Sequence, residues 1–97
     1  MHEDYLNKQL GRRLRRRRQL LGLSQQSLGQ ICGMSFQQIQ KYEAAVTHIK
    51  AAKLWELSQA LRVEIGYFFD GLPAEPEKPR RNGEIEMIER SEARRPG

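Results

Sequence analysis

The chain carries a single cysteine, Cys32, in 97 residues. A lone thiol excludes an internal disulfide and any metal site built from several cysteines. Aromatic residues make up only 7% of the sequence and mean hydropathy is −0.75, so any apolar core must be thin. No apolar run approaches the roughly 18 residues needed to cross a bilayer, and no signal peptide stands out. A cytoplasmic protein without a membrane partner is the simplest expectation. Also missing are a paired-carboxylate, Ser/His/Asp, Cys/His or metal-ligand set and a phosphate-binding glycine loop. No enzyme activity, no cofactor and no metal are therefore expected.

What is present fits one small domain. A domain of about 65 residues buries perhaps 60% of its unfolded surface, so stability should be modest and dimerisation would help. Net charge is +5, and its placement says more than its total. Residues 1–22 hold seven basic and two acidic side chains, whereas residues 23–71 hold four of each and residues 72–97 hold six of each. The whole excess lies in the first helix and its lead-in. Such a concentrated basic patch suits a phosphate-bearing partner.

The chain is organised around Leu23 to Glu43, LSQQSLGQICGMSFQQIQKYE. Ser24 precedes a helical pattern with Leu28 and Ile31 or Cys32 on one face. Ser35 precedes a second pattern in which Ile39 and Tyr42 share a face. Either serine can accept from an unpaired first-turn amide, and Gln38, three residues after Ser35, completes a capping box. Gly33 lies where a left-handed C-terminal cap would fall. Short helix, glycine turn and short helix make a helix-turn-helix outline. With Ile39 and Tyr42 inward, Gln37, Gln38, Gln40 and Lys41 project outward or sideways. A glutamine amide donates and accepts at once and can pair with adenine in the major groove. Glutamines are also good helix formers on a merely wet face.

A first helix should run from near Asp4, a candidate N-cap, to Leu21, stopped by Gly22. Leu10, Leu14 and Leu21 share its inner face with position 17 or 18, so one arginine of the run Arg12 to Arg18 must point inward. The others can serve as phosphate contacts or as a solvated face. A fourth helix is expected over Ala51 to Leu61 with Leu54, Leu57, Ser58 and Leu61 inward, and a short fifth over Glu64 to Phe69. The predicted fold is all-α, five helices over residues 4–71. Residues 72–97, with four prolines and alternating charges, read as a disordered tail. Within it, Ile85, Met87 and Ile88 could dock on a protein partner.

From about Gly11 to Gly71 the chain resembles the DNA-binding domain of the phage repressor and Cro type, the xenobiotic-response-element family of transcription regulators. LSQQSLGQICGMS, IQKYE and KLWELSQALRVEIGYFFDG carry the resemblance. It implies a sequence-specific regulator that binds double-stranded DNA as a homodimer, with the helix from Ser35 to Glu43 in the major groove. Base readers would be Gln37 and Lys41, with Gln38, Gln40 and Phe36. Phe36 could meet a thymine methyl group or cover the core edge. Ser24, Gln25, Ser35, Thr47, His48 and Lys50 would face the DNA backbone. Arg18 would pair with Glu43, and Tyr67, Phe68 and Phe69 would lie at the dimer contact.

The resemblance also marks departures. Gly29 stands where the family usually has alanine. Ala45 and Arg62 replace common glycines, so the loop after the second helix of the motif is expected to differ in shape. Two other readings follow from those departures and from the aromatics. In one the fold is a protein-interaction module. In the other it is an antitoxin-like DNA binder that engages a second small protein through its tail.

Overall fold

The computed structural model describes residues 2–73, and the 72–97 tail lies outside them from residue 74 onward. Four α-helices, α1 (His2–Leu20), α2 (Gln25–Cys32), α3 (Phe36–Glu43) and α4 (Ala51–Ala60), precede a single 3-10 turn at Ile65–Phe68. The all-α expectation holds. Where the fifth helix was expected there is only this 3-10 turn. Helix α1 is already helical at residue 2, so Asp4 lies in its first turn and is not its cap. There, with Glu3, it complements the positive end of the helix dipole.

The core is built from Leu10 and Leu14 of α1, Leu28 of α2, and Ile39 and Tyr42 of α3. Leu54 and Leu57 of α4 join it, with Leu61 and Phe68 beyond. One leucine expected inside lies elsewhere. Leu21 falls after the last turn of α1 and is 39% exposed. Its place on the stripe is taken by Arg18, which is buried. On α2, Leu28 and Cys32 face the core while Ile31 is 58% exposed, which settles the alternative left by the helical spacing.

All four helices stop in the left-handed conformation, at the cap itself in α2 and one residue beyond it in α3 and α4. Gly22 and Gly33 take it with φ of 73° and 70°, and Ala45 and Arg62 take it with φ of 58°. After α3, the Val46 amide donates to the Lys41 carbonyl at 2.9 Å and the Ala45 amide to Tyr42 at 3.1 Å. After α4, Val63 donates to Ser58 at 3.0 Å and Arg62 to Gln59 at 3.2 Å. These are Schellman stops. The loop therefore keeps the turn a glycine would make, contrary to the altered shape expected from Ala45, and a methyl group bears the strain.

Candidate nucleic-acid interface

Two caps and one tight turn set the angle of α3. Ser24 Oγ accepts from the Ser27 amide at 2.9 Å, and Ser35 Oγ accepts from the Gln38 amide at 3.1 Å. Between them the Met34 amide donates to the Gly29 carbonyl at 2.8 Å. That closure brings Met34 so near α2 that a Cβ on Gly29 would stand 2.4 Å from its carbonyl oxygen. Alanine, usual in the resemblance, does not fit this turn without movement.

A polar clamp then holds the far end of α3. Arg18 Nε donates to Glu43 Oε2 at 2.6 Å and Nη2 to Oε1 at 3.0 Å, while Nη1 donates to the Leu23 carbonyl at 2.8 Å. Both side chains are nearly dry, 10% and 5% exposed. The hydrogen bonds to Glu43 raise the Arg18 pKa, against an opposing desolvation, so the guanidinium stays charged. Gln25 Nε2 adds a bond to Glu43 Oε1 at 3.1 Å. The amide expected at the DNA backbone thus also ties α2 to the end of α3. Beside the clamp α1 lies against the chain itself: a Cβ on Gly11 would be 2.6 Å from the Tyr42 carbonyl oxygen and 2.7 Å from that of Glu43. Helical spacing gives no sign of this approach. The one hint was a glycine inside a helix.

With the inward side so held, α3 turns Phe36, Gln37, Gln40 and Lys41 to solvent. Phe36 is 45% exposed and stands outside the core cluster. Gln38 is half-buried and lines a cleft of about 400 Å³ with Ser35, Thr47, His48, Lys50 and Lys53. Three hydroxyl or imidazole groups and two ammonium groups therefore converge beside the N-terminus of α3, whose dipole favours an anion. His48 Nδ1 also lies 3.2 Å from Glu3 Oε2, a pair so exposed, 62% and 72%, that it constrains little. Ser24 is exposed, with its hydroxyl shared between the Ser27 amide and hydroxyl.

The arginine run divides in a way that neither sequence alternative anticipated. Arg17 Nε donates to the Leu61 carbonyl at 3.0 Å and Arg13 Nη1 to the Tyr67 carbonyl at 3.1 Å. These two cap the ends of α4 and of the 3-10 turn, a structural role that neither alternative included. Arg12, Arg15 and Arg16 remain exposed. Of the three terminal aromatics, Phe68 is fully buried in its own core, packed edge to face on Tyr67 at 5.5 Å. Only Tyr67, half-buried, and Phe69, 42% exposed, offer surface to a partner. Burial, then the Glu56 charge, pushes the Cys32 thiol up, with Lys53 opposing, which suits a small packing group better than a nucleophile. Among the described residues no group of three acidic, histidine or cysteine side chains gathers as a metal site, and no helix is long and apolar enough to cross a membrane.

Known proteins share this arrangement. A family model described as helix-turn-helix matches residues 14–68. An uncharacterised helix-turn-helix-type transcriptional regulator of Sinorhizobium medicae is 44% identical over 66 residues, 68% of this chain and 48% of that protein. An uncharacterised transcriptional regulator in the ATPase CF(0) region of Rhodospirillum rubrum is 43% identical over 79 residues, 81% of this chain and 71% of its own length. The chain spans about half the length of the Sinorhizobium relative. Among solved structures, the P22 c2 repressor in complex with a synthetic operator superposes with a TM-score of 0.60 at 33% identity, covering 65% of this chain and 96% of the repressor. With the caps, the glycine turn and the clamp all inside the matched region, the chain belongs to the helix-turn-helix family of transcriptional regulators, of the phage-repressor type.

Proposed function

We propose that residues 4–71 form a sequence-specific unit that binds double-stranded DNA as a dimer, with α3 in the major groove. The observation that carries this reading is the unobstructed row Phe36, Gln37, Gln40 and Lys41 on a helix clamped from behind. Gln37 and Lys41 read base edges, glutamine suiting adenine and lysine suiting guanine, with Gln38, Gln40 and Phe36 at their sides. The cleft lined by Ser35, Thr47, His48, Lys50 and Lys53 receives a phosphate of the same groove, and Ser24 and Gln25 flank the next. The likeness to a repressor solved on its operator supports the same docking. Tyr67 and Phe69 supply the dimer contact, placing half-sites about 34 Å apart.

Selection of bound sequences from random duplex DNA tests this directly. Replacing Gln37 by alanine should cost about 1–3 kcal/mol on the selected sequence and little on random DNA. Equal losses on both remove Gln37 as a reader. A second reading, in which the fold binds a protein in place of DNA, draws on the exposed Ile31 and Trp55. DNA affinity no better than that of a generic basic peptide selects it.

A further inference from the structure

Between α1 and the 3-10 turn lies a groove of about 370 Å³ lined by Arg13, Arg16, Leu20, Tyr67 and Asp70. Its apolar members are Leu20, which is 66% exposed, and the ring of Tyr67. Two guanidinium groups stand on its rim against one carboxylate, and the bond from Arg13 to the Tyr67 carbonyl holds its two walls together. Neither α3 nor the cleft beside it contributes to this groove, and of its lining only Tyr67 figures in the DNA reading, at the dimer contact.

We infer that the chain's own segment Glu84-Ile85-Glu86-Met87-Ile88-Glu89-Arg90, outside the described residues, docks in this groove. Three observations select that occupant. First, the segment pairs apolar groups with acids: Ile85, Met87 and Ile88 stand among Glu84, Glu86 and Glu89. In an extended backbone, alternation from Glu84 to Met87 sends carboxylates to one side and apolar groups to the other. That matches a greasy floor with an arginine rim. Second, the described chain leaves beside the groove, because Asp70 lines it and the description ends at residue 73. The eleven residues from there to Glu84 reach up to about 36 Å when extended. Third, a short tether raises the local concentration of the segment to about the millimolar range, so even weak contacts hold it. The other apolar surface, around Ile31, Trp55, Ala60 and Leu21, has Arg62 at one place on its rim and Glu56 at another, and so offers no charge that selects an acidic segment.

Docking covers Tyr67, so a docked segment and the dimer contact proposed above exclude each other. The docking itself does not depend on DNA binding and is tested without DNA. In the full chain, nuclear Overhauser effects are expected between the methyl groups of Ile85 or Met87 and the Leu20 methyls or Tyr67 ring. Arg16→Glu and Glu86→Arg should each abolish them and shift the Leu20 and Tyr67 resonances, while the resonances of buried Leu14 stay in place. Combining both substitutions should restore the wild-type pattern. Absence of these effects in the unaltered chain overturns the inference, as does their appearance at Ile31 or Trp55. So does their appearance between labelled and unlabelled chains, which would make the occupant a second copy.

Discussion

The inward side of α3 and its outward side differ in how far the rest of the chain determines them. Inward, Ile39 and Tyr42 enter the core, Glu43 accepts from Arg18 and Gln25, and the backbone of Tyr42 and Glu43 lies against Gly11. Outward, Phe36, Gln37, Gln40 and Lys41 touch solvent. A reading helix needs both: fixed orientation behind, exchangeable side chains in front. The placement lives in the packing, and the specificity proposed above would live in residues that contribute almost nothing to it.

Breaking the clamp should therefore do the most damage. Arg18→Met leaves Glu43 as a nearly dry carboxylate without its counter-charge, held only by the Gln25 amide, and should cost about 3–5 kcal/mol in a denaturant titration. Replacing both partners with apolar residues should recover much of that loss, because no charge is then stranded. A single substitution costing under about 1 kcal/mol would mean the pair behaves as a surface salt bridge and does not set the helix angle.

Next comes the backbone contact. Gly11→Ala places a methyl group within 2.6–2.7 Å of two carbonyl oxygens, neither of which can swing away as a side-chain end would. Overpacking of this kind should cost about 1–3 kcal/mol, reduced by the roughly 0.5–1 kcal/mol that alanine gains in a helix. Unfolding by heat measures it. An unchanged or higher Tm would show that α1 and α3 can separate slightly without loss, and the support behind α3 would be softer than argued.

The outward side should answer in the opposite way. Gln40→Ala and Lys41→Ala should move stability by no more than about 0.5 kcal/mol. Either one losing over 1 kcal/mol would break the division between the two sides, since a reader would then also be a support.

The same division explains what was legible from residues alone. Ser24 and Ser35 as caps, Gly33 as a left-handed stop, and Leu10, Leu14, Leu28, Ile39, Tyr42, Leu54, Leu57, Leu61 as core follow from local chemistry and helical period. The resemblance supplied the Arg18–Glu43 partnership, which spacing alone had narrowed only to position 17 or 18. What escaped depends on which segments meet in space. Period marks a face but not the approach of another backbone, so the tight contact at Gly11 was not foreseen, whereas the resemblance already put Gly29 at a close helix crossing. Nor does a run of arginines reveal which members will find a helix's unpaired carbonyls, as Arg13 and Arg17 do. Where the fifth helix was expected, a 3-10 turn at Ile65–Phe68 buries Phe68 and leaves Tyr67 half-buried and Phe69 exposed.

The smallest effect isolates strain from packing. Gly33 and Ala45 stop successive helices in nearly the same conformation, φ 70° and 58°, and a Cβ at Gly33 would meet nothing within 4 Å. Gly33→Ala thus measures the cost of a methyl group in the left-handed region with no steric clash, about 1 kcal/mol. Ala45→Gly should return strain of similar size, less the roughly 0.4–1 kcal/mol by which glycine loosens the unfolded chain. The net expectation is a gain of a few tenths of a kcal/mol in a denaturant titration, with DNA selectivity unchanged because the Val46-to-Lys41 and Ala45-to-Tyr42 bonds persist. A loss from Ala45→Gly would mean that the half-buried methyl group packs well enough to outweigh its own strain, and the loop after α3 would then count among its supports.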